Sequence, residues 1–297
     1  MNKSSRGAGF FYAISAYFLW GILPLYWKLL LAINPLHIVG FRIIFSLILV
    51  GGILLATKNF TWLHFLKDKK QGLYLFLAGL LVSTNWIIYI FAVNNGYTIE
   101  AALGYYINPV FSVVLGLVIF KEKINLLQKL AFCLSLIGVI VLMVFTGALP
   151  WISLVLAISF SIYGVIKKKV KLSPLESLGG ETLTAFPISL LLLTGLFGTN
   201  FPNLQELNYM IELPLITWLL LLLCGIITML PLYFFAKGVK LLPLSTVGFL
   251  QFLAPTLTFL TGVFIFRESF PPHNFIVFGF IWAAVVLYII SLRRVKE

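Results

Sequence analysis

The amino-acid sequence predicts an all-α integral membrane protein whose ten transmembrane helices form two inverted five-helix repeats. Three observations predict this fold: the composition, the distribution of basic residues among the loops, and an internal repeat. Of the 297 residues, 61% are hydrophobic and 10% are charged, whereas soluble domains carry roughly 25% charged residues. We therefore expect lipid, rather than water, to surround most of the chain.

The apolar residues fall into ten runs that are separated by polar or turn-forming clusters. A bilayer core needs about 20 apolar residues per helix, and backbone groups inside it must bond to each other, so each run is predicted to be helical. The first run is too long for a signal-peptide core. The runs lie near 8–30, 36–56, 72–94, 100–119, 126–146, 150–167, 176–197, 214–236, 244–265 and 272–292.

The basic residues predict the orientation of these helices. With the N-terminus on the inner side, 18 lysines and arginines fall in inner segments, Lys28 and Arg267 fall outside, and Arg42 lies within a run. This bias predicts a cytoplasmic membrane with both termini in the cytoplasm. It also explains the net charge of +12, because anionic lipids attract basic loops. We therefore expect the lipid bilayer, and no nucleic acid, as a partner.

The two halves of the sequence, 1–147 and 148–297, resemble each other. Trp20-Gly21 aligns with Tyr163-Gly164, and Tyr106 to Pro109 aligns with Phe252 to Pro255. Five helices per half invert the second half, which predicts a solute site near the midplane and alternating access by rocking of the halves. A channel or a non-transporting scaffold can arise from the same duplication and stays an alternative.

Two ionisable residues stand out inside the apolar runs, where charges are rare and costly. Arg42 lies in the second run and Glu181 in the seventh, and the repeat alignment makes them equivalent. They could hold a zwitterionic or amphipathic solute between them, or pair with each other in one conformation. Alternatively, each lies near a helix end and reaches the interface.

Polar and aromatic residues within the runs complete the set of candidates. A buried amide needs a partner, which is either another helix or a solute. Prolines at 109 and 255 free backbone carbonyls near such side chains, and aromatic residues either line a cavity or form interfacial belts. The predicted substrate-binding residues are Trp20, Arg42, Asn85, Trp86, Tyr89, Tyr105, Asn108, Tyr163, Glu181 and Gln251. Gly104, Gly116, Gly138 and Gly248 are predicted to allow close helix packing.

Other function classes leave no pattern in the sequence. There is no phosphate loop, nucleophile constellation or catalytic carboxylate pair, so we do not expect an enzyme, and the energy is expected from an ion or solute gradient rather than ATP. Cys133 and Cys224 lie in apolar runs and the histidines are scattered, so neither a metal site nor a cofactor is predicted. Whether the coupling ion is a proton stays open.

The chain resembles the EamA-type branch of the drug/metabolite transporter superfamily, and within it the RarD proteins. The resemblance rests on segments along nearly the whole chain: Ala16 to Gly21, Asn85-Trp86, Ala92 to Asn95, Leu103 to Tyr105, Ile107 to Pro109, Glu181-Thr182 and Leu244 to Thr246. It implies a ten-helix carrier of a small organic metabolite or drug, with amino-acid-like solutes among the candidates. A flippase for a lipid-linked intermediate is the alternative, and it would need a groove open sideways to lipid.

Overall fold

The computed structural model describes residues 3–94, 98–147, 151–194, 212–267 and 273–294, and within these ranges the regular structure is entirely helical. Short 3-10 segments at Lys28–Leu30 and Thr61–Leu66 follow α1 and α2, and a π-helical turn at Thr261–Ile265 follows α10. The helices are α1 (Lys3–Trp27), α2 (Pro35–Ala56), α3 (Lys69–Asn94), α4 (Thr98–Ile119), α5 (Leu126–Thr146), α6 (Trp151–Lys169), α7 (Pro174–Leu193), α8 (Leu215–Leu241), α9 (Leu244–Gln251), α10 (Leu253–Leu260) and α11 (His273–Arg294).

Local sequence signals set several helix ends. The Asn34 side chain accepts a hydrogen bond from the amide of Leu36 at the start of α2. Capping boxes begin α5 at Asn125 and α7 at Ser173, where the N-cap and the third helical residue bond reciprocally. Gly147 ends α5 with a φ of +70°, a left-handed conformation that glycine adopts without steric cost.

Eight helical segments in the described ranges are long and apolar enough to cross a membrane, so the chain is a multi-pass membrane protein. In α4 the apolar part described is the shorter stretch Gly104–Ile119. α7 is not among the eight, and its polar residues, such as Glu181 and Thr182, lower its hydropathy. The eight segments are Ser4–Leu30, Pro35–Ala56, Lys69–Tyr89, Leu126–Phe145, Trp151–Lys169, Leu215–Leu241, Leu244–Ile265 and Phe275–Leu292.

Helices from the first half of the sequence pack mainly against helices from the second half. α1 contacts α8 and α10, α2 contacts α7 and α8, α3 contacts α6 and α7, and α4 contacts α6 and α9. α5 pairs with α11. The buried core therefore lies between the two halves, which places the side chains of α2, α3, α7 and α8 around a shared interior.

Glycines bring these helices close together, as predicted for Gly104, Gly116, Gly138 and Gly248. A methyl group at Gly104 would lie 2.9 Å from Leu156 Cβ, and one at Gly248 would lie 2.9 Å from the Pro109 carbonyl oxygen. Methyl groups at Gly116 and Gly138 would also meet neighbouring atoms, at 2.7 and 3.2 Å. The prediction of tight-packing positions is confirmed.

The segment Leu244–Ile265 is interrupted near its middle. α9 ends at Gln251 and α10 begins at Leu253. Pro255 has no amide hydrogen and cannot donate to the carbonyl of Gln251, four residues earlier, so a break is expected there. Gln251 is buried at this break.

Candidate functional site

A small cavity lies between α2, α3, α7 and α8, and it brings together three of the predicted residues: Arg42, Trp86 and Glu181. Its volume of about 10 Å³ is enough for roughly one water molecule. The halves therefore fit closely around it, and a solute would require them to separate. The other lining residues are Ile43, Ser46, Val82, Ser83, Thr182, Ala185, Thr228 and Leu232.

Arg42 is held by aromatic rings and one hydroxyl group. Its guanidinium carbon lies 3.9 Å from the ring centre of Trp86 and 4.8 Å from that of Trp27. Its Nε donates a hydrogen bond of 3.0 Å to Thr228 Oγ1. No carboxylate lies within ion-pair distance of Arg42 in the part of the chain that the structure describes. Among the described residues, ring faces and a hydroxyl group therefore stabilise the cation, and no anion does.

Polar groups extend from Arg42 toward the end of α3 and the start of α4. The hydroxyls of Tyr26, Tyr89 and Tyr105 and the thiol of Cys224 lie close enough to interact electrostatically with the guanidinium. Tyr89 and Tyr105 are 38% and 36% exposed, and their rings meet edge to face at 5.6 Å. Arg42 thus lies beside partly accessible aromatic surface.

Glu181 belongs to a buried hydrogen-bond network on the other side of the cavity. Its Oε2 lies 2.7 Å from Lys167 Nζ, and its Oε1 accepts a bond of 3.0 Å from the Tyr163 hydroxyl. Lys167 also donates to Ser177 Oγ at 2.7 Å. Glu181 therefore pairs with Lys167 in this structure, and the predicted alternative of pairing with Arg42 is not seen here.

Lys167 is the charged residue that the sequence did not single out. The basic stretch 167–171 predicts an inner loop, but Lys167 belongs to α6 and is 1% exposed. The available signal was its spacing: Lys167 follows Tyr163 by one helical turn and so shares its face. The lysines after it, from Lys168 to Lys171, hide this signal because they make a charged loop the simpler interpretation.

The repeat-related residues Trp20 and Tyr163 lie in one aromatic cluster. Both pack on Phe235 of α8, with ring centres 5.6 and 5.8 Å away. Phe160 joins the cluster through edge-to-face contact with Trp20 at 5.5 Å. The cluster lies where α1, α6 and α8 meet, and it supports Tyr163 beneath the carboxylate of Glu181.

Several polar side chains in the connections between helices join the two halves. The Glu122 carboxylate accepts hydrogen bonds from the amides of Leu244 and Ser245 at 2.6 and 2.8 Å. The Glu176 carboxylate accepts from Asn59 at 2.9 Å and from Thr61 at 2.6 Å. Each contact links a residue of 1–147 to one of 148–297, so these side chains hold the two halves together.

A model of the EamA-like transporter family matches this chain twice, over residues 7–144 and 148–290. The chain belongs to the EamA-like transporter family. Its similarity to proteins named RarD confirms the expected resemblance.

Curated relatives of this EamA-family chain match along almost its whole length. It is 41% identical to the uncharacterized transporter YojE of Bacillus subtilis, covering 100% of this chain and 98% of the relative. It is 38% identical to protein RarD of Streptomyces exfoliatus, covering 96% and 89%. It is 32% identical to protein RarD of Escherichia coli, covering 98% and 97%.

A solved crystal structure shares the fold of this EamA-family protein. The TM-score is 0.71, the sequence identity is 19%, and the match covers 100% of both chains. At that identity the likeness concerns the arrangement of helices alone. The described helices, including those around the cavity, therefore follow a known helical architecture.

The remaining predicted residues of this EamA-family protein lie away from the cavity. Asn85 donates from Nδ2 to the Leu156 carbonyl and to Ser159 Oγ, both at 2.9 Å. Asn108 Oδ1 accepts a bond of 2.8 Å from Ser161 Oγ. In this structure both amides bond to α6, which is the helix-packing alternative. Gln251 lies at the break between α9 and α10.

Proposed function

We propose that this protein is a secondary transporter that moves a small organic metabolite or drug across the cytoplasmic membrane by alternating access. The observation that carries the proposal is the cavity itself, which lies between α2 and α3 of one half and α7 and α8 of the other. Each half contributes one charged group, Arg42 or Glu181. Rocking of the halves would change access to both.

The proposed architecture is ten spanning helices in two inverted repeats, 1–147 and 148–297. The double match of the family model over 7–144 and 148–290 supports the division, and the bias of basic residues toward alternate loops supports cytoplasmic termini. In this orientation the contacts of Glu122 and Glu176 lie at the cytoplasmic side. The structure would then correspond to a state closed to the cytoplasm.

The transport cycle would require these cytoplasmic contacts to break while the opposite side closes. A cavity of about 10 Å³ excludes a bound metabolite, so binding and widening must be linked. We propose that an ion or solute gradient, with the proton as the first candidate, drives this change, and that the protein has no enzymatic activity.

A transport assay tests the proposal directly. Purified protein in liposomes would be given a panel of radiolabelled amino acids, organic acids and drugs, with and without a proton gradient. We expect protein-dependent movement of at least one solute, and its loss in Arg42→Ala and Glu181→Gln. Gly51→Ala is the matched control, because an added methyl group there meets open space. Failure of every solute to move would contradict the proposal.

A lipid flippase remains the alternative, and the same liposomes distinguish it. A surface depression of about 620 Å³ lies at α4 and α5, and its lining includes Glu122, Lys123 and Lys129 but neither Arg42 nor Glu181. A flippase would be expected to bind a lipid headgroup at the charged residues of such a surface depression. Protein-dependent translocation of fluorescent lipids without solute transport would favour it.

A further inference from the structure

The charges around the cavity do not balance. Lys167 and Glu181 form an ion pair and contribute no net charge. Arg42 contributes one positive charge, and no anion faces it among the described residues. The three charged residues described here, Arg42, Lys167 and Glu181, therefore carry a combined charge of about +1 in their usual states near neutral pH.

Among the described residues, the hydrogen-bonding capacity of Arg42 is also largely unused. A guanidinium carries five N–H donors, and here one of them bonds to Thr228. The guanidinium carbon lies over the rings of Trp27 and Trp86, and these contacts are not hydrogen bonds to its N–H groups. Removing a charge from water costs several kcal/mol unless a partner compensates. An anion at the free edge of the guanidinium would supply both the charge and the acceptors.

We propose that the substrate is an organic monoanion whose carboxylate binds the free edge of Arg42. This proposal rests on the proposed transport function and narrows its substrate class. A carboxylate presents two oxygens with the spacing of the guanidinium fork, so it forms two parallel hydrogen bonds. One negative charge neutralises the site, whereas a phosphate-type dianion would leave an uncompensated charge.

A zwitterion fits the site less well than an anion. Its ammonium group would need an acidic partner, and Glu181 is the acid that lines the cavity. Both oxygens of that carboxylate are already engaged, one by Lys167 and one by Tyr163. The expectation of a zwitterion held between Arg42 and Glu181 is therefore replaced by an anion held at Arg42 alone.

The aromatic residues beside Arg42 indicate the rest of the substrate. Trp86 lines the cavity, and Tyr89 and Tyr105 present partly exposed rings within electrostatic reach of the guanidinium. Aromatic faces pack well against flat apolar groups. The substrate class is thus a carboxylate attached to a small, preferably planar, apolar body.

Matched solutes that differ only in charge test the proposal. Three series of solutes would carry a phenyl, an indolyl or an isobutyl group. Within each series, thermal stabilisation of the purified protein would be compared for the carboxylate, the neutral amide, the amino acid and the amine. In each series that binds, we expect the carboxylate to raise the unfolding temperature of the protein most. Stronger stabilisation by an amine or an amino acid, or no stabilisation by any carboxylate, would overturn the proposal.

Variants assign the effect to Arg42. Arg42→Gln should weaken carboxylate binding about thirty-fold or more, because one partner of a buried charge pair is lost. Arg42→Lys should lose less, since an ammonium keeps the charge but not the fork. Lys28→Gln is the matched control: Lys28 is also a cation over an aromatic ring, Phe266, at 3.9 Å. Unchanged carboxylate binding in a folded Arg42→Gln protein would refute the assignment.

The Glu181→Gln variant distinguishes binding of an anion from binding of a zwitterion. If Glu181 binds an ammonium group, amino acids are the better ligands of the unmodified protein. The variant then loses amino-acid binding and keeps carboxylate binding unchanged. If the carboxylate binds at Arg42, the variant leaves Lys167 uncompensated and still prefers carboxylates over amines. In liposomes, movement of amino acids without carboxylates would refute this inference alone, whereas binding of carboxylates without movement would refute the transport function alone.

Discussion

The Nζ atom of Lys167 lies 2.7 Å from Oε2 of Glu181, and both residues are 1% exposed. The ion pair joins α6 to α7, and Ser177 and Tyr163 complete its hydrogen bonds. Such a pair contributes little net stability when intact, but breaking it leaves an uncompensated buried charge. Because Glu181 lines the cavity, Lys167 affects the charge of the site by neutralising this carboxylate.

Removing one partner of this pair should destabilise the protein more than removing both. We expect Lys167→Met to lower the free energy of unfolding by about 3–5 kcal/mol and the double change Lys167→Met with Glu181→Leu to recover part of that loss. Thermal unfolding in detergent measures both. Lys169→Met is the control, because Lys169 is exposed on the same helix. Equal stability of Lys167→Met and the unmodified protein would refute this role.

Asn85 and its neighbour Trp86 should behave differently when replaced. Asn85 bonds to α6, so Asn85→Leu should reduce stability by about 0.6–1.7 kcal/mol and leave the order of solute preference unchanged. Trp86 contacts Arg42, so Trp86→Leu should weaken solute binding. Thermal unfolding and ligand binding, measured on both variants, distinguish the two effects. A changed order of solute preference in Asn85→Leu would instead indicate that Asn85 contacts the solute.

Glu122 should hold the start of α9 in place. Its carboxylate accepts hydrogen bonds from two backbone amides and from Ser245 Oγ at 2.7 Å, so Glu122→Ala leaves these donors without their acceptor, at a cost of about 1–3 kcal/mol. Hydrogen exchange of the amides of Leu244 and Ser245 should accelerate. Lys123→Ala, an exposed neighbour, should leave the exchange unchanged. Unaltered exchange in Glu122→Ala would contradict this role.

Two helix glycines should respond oppositely to the same substitution. A methyl group at Gly225 would lie 2.6 Å from the Phe45 carbonyl oxygen, whereas one at Gly51 would meet nothing within 4 Å. Gly225→Ala should therefore lower stability by about 1–3 kcal/mol through overpacking of α2 and α8. Gly51→Ala should be neutral or raise helix stability by up to about 1 kcal/mol. Thermal unfolding of both variants checks the prediction, which a similar response of the two would contradict.

Much of the fold was predictable because it depends on local sequence. Long apolar runs predicted helices, and the break after Gln251 follows from the missing amide hydrogen of Pro255. α7 was also predicted as an apolar run, although Glu181 and Thr182, which line the cavity, lower its hydropathy. Glycine positions predicted close packing, since a residue without a side chain allows two backbones to approach.

The candidate site was predictable only in part. Arg42 and Glu181 were found because a charge inside an apolar run is costly and therefore conspicuous. Lys167 was missed because the lysines that follow it resemble a charged loop. The partner of Asn85 was open, since an amide in a helix bonds to whatever the opposite helix presents, and no local pattern identifies that helix.

Composition and hydropathy by themselves determined that the chain is helical and embedded in a membrane. Its sequence motifs determined the resemblance to its family. These properties depend on the free energy of transferring residues between water and lipid, which adds up along the sequence. Only the tertiary structure decided that Glu181 pairs with Lys167 and that Arg42 contacts two tryptophan rings and, among the described residues, no carboxylate. Charge balance depends on distances of a few ångströms between distant helices, and such distances exist only after packing.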